Sequence, residues 1–475
     1  MRIQNLHHSS FPANSTNKFK LQIGYPVVFV LCALSLQAKL SAQGVAAYTK
    51  ATTDQLVHTE TPMTPPLVNV PFSDPDFGSQ MVRVTDETSN FLRAGGYLRT
   101  EASGSANLFS SDATKFYVIA EGGATLAYSF DPSTMTAGSL PGAKPGKALL
   151  VPLRTGASFS FTDPDLMYGT NGKNVLEITS YRFSTGKLSP LIDTTTCGMQ
   201  PPLVPGPKVR SGDDVMPSVD DNRLSLSEGG PSFGAHMFVV VYDKNLGCRW
   251  YNTQTGQIGG QWGKSGAAST SDSYFIAHAT LSRSGNYVRI NANGAGFYVW
   301  DVATLQVQHC SIHSTMQCGG YTANGYNSIV QSRGSMSLMD VVKRPFSDVS
   351  QVEPLVWPLV PEHSFAQSRH FTWENVDVND SVPVCASTYD EIDKDDITVP
   401  YEAEIVCIET DGVASTVWRF AHNRAHWYPA FFNTQPLGSI SRDGRFFMFT
   451  SSWDEQLGNE SNGTPRSDIW IVKLE

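Results

Sequence analysis

The stretch Ser441-Arg442-Asp443-Gly444-Arg445-Phe446-Phe447-Met448-Phe449 decides the fold. Asp443-Gly444 supplies residues that tolerate positive φ at a hairpin, and the run that follows presents alternate residues to sheets packed on either side. Ser282-Arg283-Ser284-Gly285-Asn286-Tyr287-Val288 repeats this order of turn and strand. A second pattern recurs downstream of such turns: a strand closing on an aromatic or large apolar residue, then a turn rich in Asp, Ser, Thr and Gly. Clear copies are Tyr128-Ser129-Phe130-Asp131-Pro132, Tyr181-Arg182-Phe183-Ser184-Thr185-Gly186, Trp250-Tyr251-Asn252-Thr253 and Tyr298-Val299-Trp300-Asp301. Weaker ones lie at Met339-Asp340, Trp418-Arg419 and Ile469-Trp470-Ile471. From Phe130 to Ile471 this is a mean repeat of about 57 residues, against about 40 to 50 for common propeller blades, the excess being inserted loops. The expectation is an all-β chain, a β-propeller of about seven four-stranded blades.

The last blade carries a resemblance. Ser441-Arg442-Asp443-Gly444 and Ser467-Asp468-Ile469-Trp470-Ile471-Val472 resemble the Ser-Pro-Asp-Gly turn and Asp-Ile-Trp strand of TolB-like, WD40-like (PD40) propeller repeats. Gln80-Met81-Val82-Arg83-Val84-Thr85-Asp86 is similar to the Arg-Leu-Thr strand between such repeats. Arg442 departs from the pattern, standing where the family has proline. The resemblance spans residues 80–475 and implies a scaffold, not a reaction. Radial repetition must close, so residues 80–86 are expected to pair with the C-terminal blade.

The N-terminal residues read as a targeting segment. Lys18 and Lys20 precede the apolar run from Pro26 to Leu36, which is too short for a membrane span of about 20 residues and has the length of a signal-peptide core. The expected organisation is a signal peptide over 1–44, an extended Pro-rich leader over 45–79, and one seven-bladed propeller over 80–475. The mature chain is then periplasmic or extracellular, with no integral membrane span. A net charge of −10 spread over scattered carboxylates, with no basic patch, argues against nucleic acid.

Removal of the signal leaves Cys197, Cys248, Cys310, Cys318, Cys385 and Cys407, an even number in an oxidising compartment. Cys385 and Cys407 fit neighbouring antiparallel strands of one blade, and Cys310 and Cys318 a short loop. The alternative is that they are small buried hydrophobes.

Chemistry on a propeller gathers where the innermost strands converge. His278 lies on such a strand by its spacing of four residues from Ser282, His370 opens the segment that enters the next long blade, and His422 and His426 flank the entry of the last blade. Neutral imidazoles from separate blades suit a divalent ion, Mn, Zn or Ca, and the candidate ligands are His278, His370 and His426. His370-Phe371-Thr372-Trp373 is loosely similar to a histidine motif of oligogalacturonate lyases. That resemblance implies a metal that neutralises a uronate carboxylate while a base, His278 by position, removes the α proton. The other reading of these histidines is hydrogen bonding to loop backbone. Arg369, Arg419 and Arg424 are expected to cluster in the channel, and Arg369, Trp373, Arg424, Trp427 and Tyr428 are the candidate ligand-binding residues. The acidic loop Asp390-Glu391-Ile392-Asp393-Lys394-Asp395-Asp396 reads as a solvated hairpin tip or a calcium site. No Gly-x-Ser-x-Gly elbow or Walker loop is present. The leading function is an exported propeller presenting a protein- or glycan-binding surface, and the alternative a metal-dependent polysaccharide lyase.

Overall fold

Seven antiparallel sheets follow one another along the chain, as the seven turn signals predict. In this computed structural model the described residues are 48–475 apart from 102–104, 155, 172–175, 202–214, 231–234, 293–295, 313–317, 319–321, 336–337, 357–367, 390–396, 398, 413–415, 427–433 and 462. The signal-peptide expectation, the acidic loop at 390–396, Trp427 and Tyr428 lie outside them, as does the side chain of Arg369.

The blades begin with the strands Leu98–Arg99, Ser158–Phe159, Met216–Pro217, Ile276–Leu281, Thr322–Asn324, Ser368–Thr372 and Gly438–Ile440. Each leads through a turn into a longer strand. Four blades have four strands, the first and seventh have five, and the third runs to six by adding Gln257–Gly260 and Gly266–Ala267. The extra strands account for part of the long mean repeat. The described chain is almost free of helix, with one short 3-10 turn at Thr194–Cys197.

Hydrogen bonds join the first strand of every blade, or the turn after it, to the next. Phe159 N–H donates to Asn107 O, Val215 to Gly156, Val219 to Arg283, and Arg283 to Gly325. Tyr326 N–H donates to the Asp380 carboxylate, Ile440 N–H to Thr372 Oγ1, and Ser439 Oγ to Ala106 O. These seven links close a circle, so the first strands form the inner ring of the disc. The outer seam closes separately: Gln80–Arg83 pairs with Asp468–Lys473, Met81 opposite Val472 and Arg83 opposite Trp470. The strand read as the closing one therefore does close the disc.

Between blades the core is apolar and aromatic. Phe130 of the first blade meets Phe446 of the seventh edge-on at 5.3 Å, and Tyr287 of the fourth stacks on Phe346 of the fifth at 5.3 Å. Burial of both faces of each sheet is the main stabilising contribution. Disulfides staple three places. Cys385 and Cys407 face each other directly in register on adjacent strands of the sixth blade. Cys310 pairs with Cys318, and Cys197 with Cys248.

Candidate functional site

The innermost strands carry ionisable groups where packing alone would call for small or apolar ones. His278 lies in mid-strand on Ile276–Leu281. Burial, then the nearby Arg289 and His236, push its imidazole down to about 4, while Glu101 pulls the other way, so the ring is neutral at pH 7. Glu101 accepts the Gly156 N–H at 2.8 Å and sits 3.8 Å from Arg99. Arg289 donates to Asn324 Oδ1 at 3.1 Å and Asn291 Oδ1 at 2.8 Å. His278, His236, Glu101 and Arg289 thus share one polar neighbourhood.

His370, on Ser368–Thr372, has a different set of partners. Its Nε2 lies 3.1 Å from Gln435 Oε1 and 3.3 Å from the Tyr389 hydroxyl, and the ring stacks on Tyr389. Burial pushes it down to about 3 against the Gln435 bond. His426 follows the outermost strand of the sixth blade, Val417–His422, and its Nδ1 lies 3.1 Å from Glu455 Oε1. Trp373 is fully buried and donates its Nε1–H to the Val382 carbonyl at 2.7 Å.

Two of the arginines expected together in the channel, Arg419 and Arg424, stand at the rim instead. Arg419, on that same outer strand, donates to Glu404 at 2.5 and 2.8 Å and to Asp54 Oδ1 at 2.8 Å. Arg424 donates to Glu60 Oε1 at 2.9 Å and the Thr61 carbonyl at 2.7 Å. Both are fully buried by the leader, whose carboxylates they hold. A sequence gives the blade of each arginine but not which leader carboxylate will neutralise it.

The leader also builds a site that the sequence did not reveal. Asp74, Asp76 and His422 each offer a ligand atom, all within 4.8 Å of one another. Asp74 Oδ1 caps the turn, accepting the Asp76 and Phe77 N–H groups, and Asp76 accepts Thr61 N–H and Oγ1–H. His422 Nε2 lies 3.1 Å from the His58 carbonyl and Nδ1 3.0 Å from Asp76 Oδ2. Burial pushes this imidazole down to about 4 despite Asp76. A neutral ring has one proton for two acceptors. If the carbonyl takes it, the Nδ1 lone pair faces a carboxylate, an arrangement completed by a cation between them. Imidazole with two carboxylates suits zinc or manganese. The only signal in the sequence was Asp74-Pro75-Asp76, more than 340 residues from its partner.

No family model matches this sequence, and no curated protein does. Solved structures do. An oligogalacturonate lyase in complex with manganese is similar over 90% of this chain and 98% of its own, at 14% identity and a TM-score of 0.53. An oligogalacturonate lyase from Vibrio parahaemolyticus is similar over 90% and 99%, at 12% identity and a TM-score of 0.48. TolB from Acinetobacter baumannii covers 58% of this chain and 60% of its own, at 15% identity and a TM-score of 0.32. What is shared is the propeller fold. Among the described residues no helix is long and apolar enough to cross a membrane.

Proposed function

We propose that the protein is an exported β-propeller, periplasmic or extracellular, that presents a protein- or glycan-binding surface at one face of its disc. One observation supports this reading above the others: Glu101, His278 and Arg289 form a charged and hydrogen-bonding neighbourhood at the inner strands of the blades. Affinity electrophoresis of the chain from residue 45 through a panel of neutral and acidic polysaccharides tests it, beside capture of a secreted-protein extract on the immobilised chain. Retardation or capture that is lost in His278→Ala supports the surface. Unchanged behaviour of that variant, or no partner in either assay, overturns it.

A second reading, a metal-dependent polysaccharide lyase, is favoured by the protonation state of His278. A neutral imidazole is in the protonation state that accepts a proton α to a uronate carboxylate, and the adjacent Arg289 would hold that carboxylate. Manganese, zinc or calcium would neutralise the acid when bound, held by His278, His370 and His426 or by Asp74, Asp76 and His422. The latter group has the geometry for it; His278, His370 and His426 are each described with neighbours of their own. Elemental analysis of the purified chain, with ultraviolet detection of unsaturated uronate on acidic polysaccharides, tests this reading. Absence of both stoichiometric metal and absorbing product would overturn it.

A further inference from the structure

The turns that follow the innermost strands of the fourth and seventh blades are Ser282-Arg283-Ser284-Gly285 and Ser441-Arg442-Asp443-Gly444. Their arginines occupy equivalent positions, one residue beyond the turn serine. Both guanidiniums reach the same ring: Arg283 Cζ lies 5.0 Å and Arg442 Cζ 4.9 Å from the centroid of Phe161, which follows the innermost strand of the second blade. Glu374, just past Ser368–Thr372 of the sixth blade, meets Arg283 Nη2 at 2.5 Å. Residues from four blades therefore converge at one mouth of the channel. His278 lies five residues before Arg283, on the order of 15 Å along an extended chain, so this mouth is distinct from the histidine neighbourhood.

The cluster is incompletely bonded, with Arg283 and Glu374 buried and Arg442 half-buried. Arg283 is 1% exposed and Glu374 not at all. Arg283 donates Nη2 to Glu374 and to the Ser105 carbonyl, but its Nε and Nη1 have no partner. Glu374 Oε2, both amide atoms of Asn375 and Arg442 Nη1 are likewise buried and unmatched. Four charges face this space. Arg283 and Glu374 neutralise each other. Asp221 spends both oxygens on Ser160, Thr162 and the Phe161 N–H, latching the second blade to the third. Arg442 is left: among the described residues it makes no hydrogen bond or ion pair, and burial lowers its proton affinity, with Arg283 adding to the effect and the carboxylates of Asp221 and Glu374 opposing it. Buried guanidinium nitrogens without a partner, Nε and Nη1 of Arg283 and Nη1 of Arg442, are costly unless something completes them. The unmatched groups are mostly donors, in the planar fork that fits an oxyanion.

We infer that this mouth is an anion-binding site, taking a single oxyanion group, phosphate, sulfate or carboxylate, between Arg442 and Arg283 over the Phe161 ring. It stands apart from the proposed binding surface and survives that proposal's failure. The test is isothermal titration of the full chain with inorganic phosphate, sulfate and acetate at ionic strength fixed with chloride. At least one of the three is expected to bind saturably at one site. Arg442→Gln, which breaks no ion pair, is expected to keep the circular dichroism of the parent and to bind at least about tenfold more weakly, the loss of one charge-assisted contact. Arg445→Gln, on the exposed side of the same turn, is expected to bind as the parent does. Absence of saturable binding for all three anions would mean that water alone fills the mouth and would overturn the site, as would undiminished affinity in Arg442→Gln.

Discussion

Arg83 and Asp468 meet across the seam where the two ends of the propeller join, Nη2 to Oδ2 at 2.5 Å and Nε to the same oxygen at 2.8 Å. Both belong to paired strands, so the ion pair sits on the hydrogen bonds that close the disc. Burial pushes Asp468 up to about 6, against the pull of Arg83 and Arg466. Arg83→Ala leaves a buried carboxylate short of its main partner and is expected to cost about 3 kcal/mol in urea unfolding. With a folded-state pKa above the unfolded one, Asp468 contributes stability at low pH that is lost as pH rises through about 6. The deficit of Arg83→Ala should therefore be larger at pH 8 than at pH 5. An equal deficit at both would contradict the assignment.

Glu228 is fully buried in the third blade, and burial pushes its carboxyl up to about 8. Thr194 Oγ1 lies 2.8 Å from both the Leu176 carbonyl and Glu228 Oε2, and its one proton serves only one of them. A protonated Glu228 donating to Thr194 satisfies both bonds. Since the folded pKa exceeds the unfolded 4.5, the stability this group contributes is complete below 4.5 and falls away up to about 8, at about 1.4 kcal/mol per pH unit. Glu228→Gln keeps a neutral donor at every pH. Its melting temperature relative to the parent should climb from pH 5 to pH 8 and then level off. A flat difference would show that the carboxyl is ionised throughout.

The Cys385–Cys407 bridge closes a loop of 22 residues within the sixth blade. The paired replacement Cys385→Ala with Cys407→Ala should lower stability by about 3 kcal/mol. Mass spectrometry of non-reduced peptides should find these two residues linked, together with Cys197–Cys248 and Cys310–Cys318. A different partner for Cys385 or Cys407 would contradict the register of the sheet.

His422 pins the leader to the rim through the His58 carbonyl and Asp76. His422→Ala is expected to expose residues 52–76 to limited proteolysis while the remaining disc stays resistant. Zinc or manganese added to chelator-treated protein should raise the melting temperature of the parent and leave that of Asp76→Asn unchanged. An equal rise in both would place any bound ion elsewhere.

The histidine and arginine positions show how far a linear pattern carries. His278 is placed on an innermost strand by counting back from Ser282 and His370 at a blade entry, and both lie on innermost strands, because one strand and one hairpin are local structures. Arg419 and Arg424 were expected in the channel and lie at the rim, because the outermost strand of a blade has the same alternation as the innermost. What distinguishes them is the leader that covers one and not the other. The Arg283–Glu374 pair was equally out of reach: the residues are 91 positions apart and meet only because the fourth and sixth blades face a common axis.

By itself, the sequence determined the repeat, the strand-and-turn order within each blade and the strand that closes the disc, since these follow from period-two alternation, turn residues and the need of every sheet to be covered on both faces. The tertiary structure alone decided which charges meet. The clasp of Asp76 on His422 and the gathering of Arg283, Arg442, Glu374 and Phe161 at one mouth depend on the angle between blades and on where the circle closes, and no local periodicity encodes either.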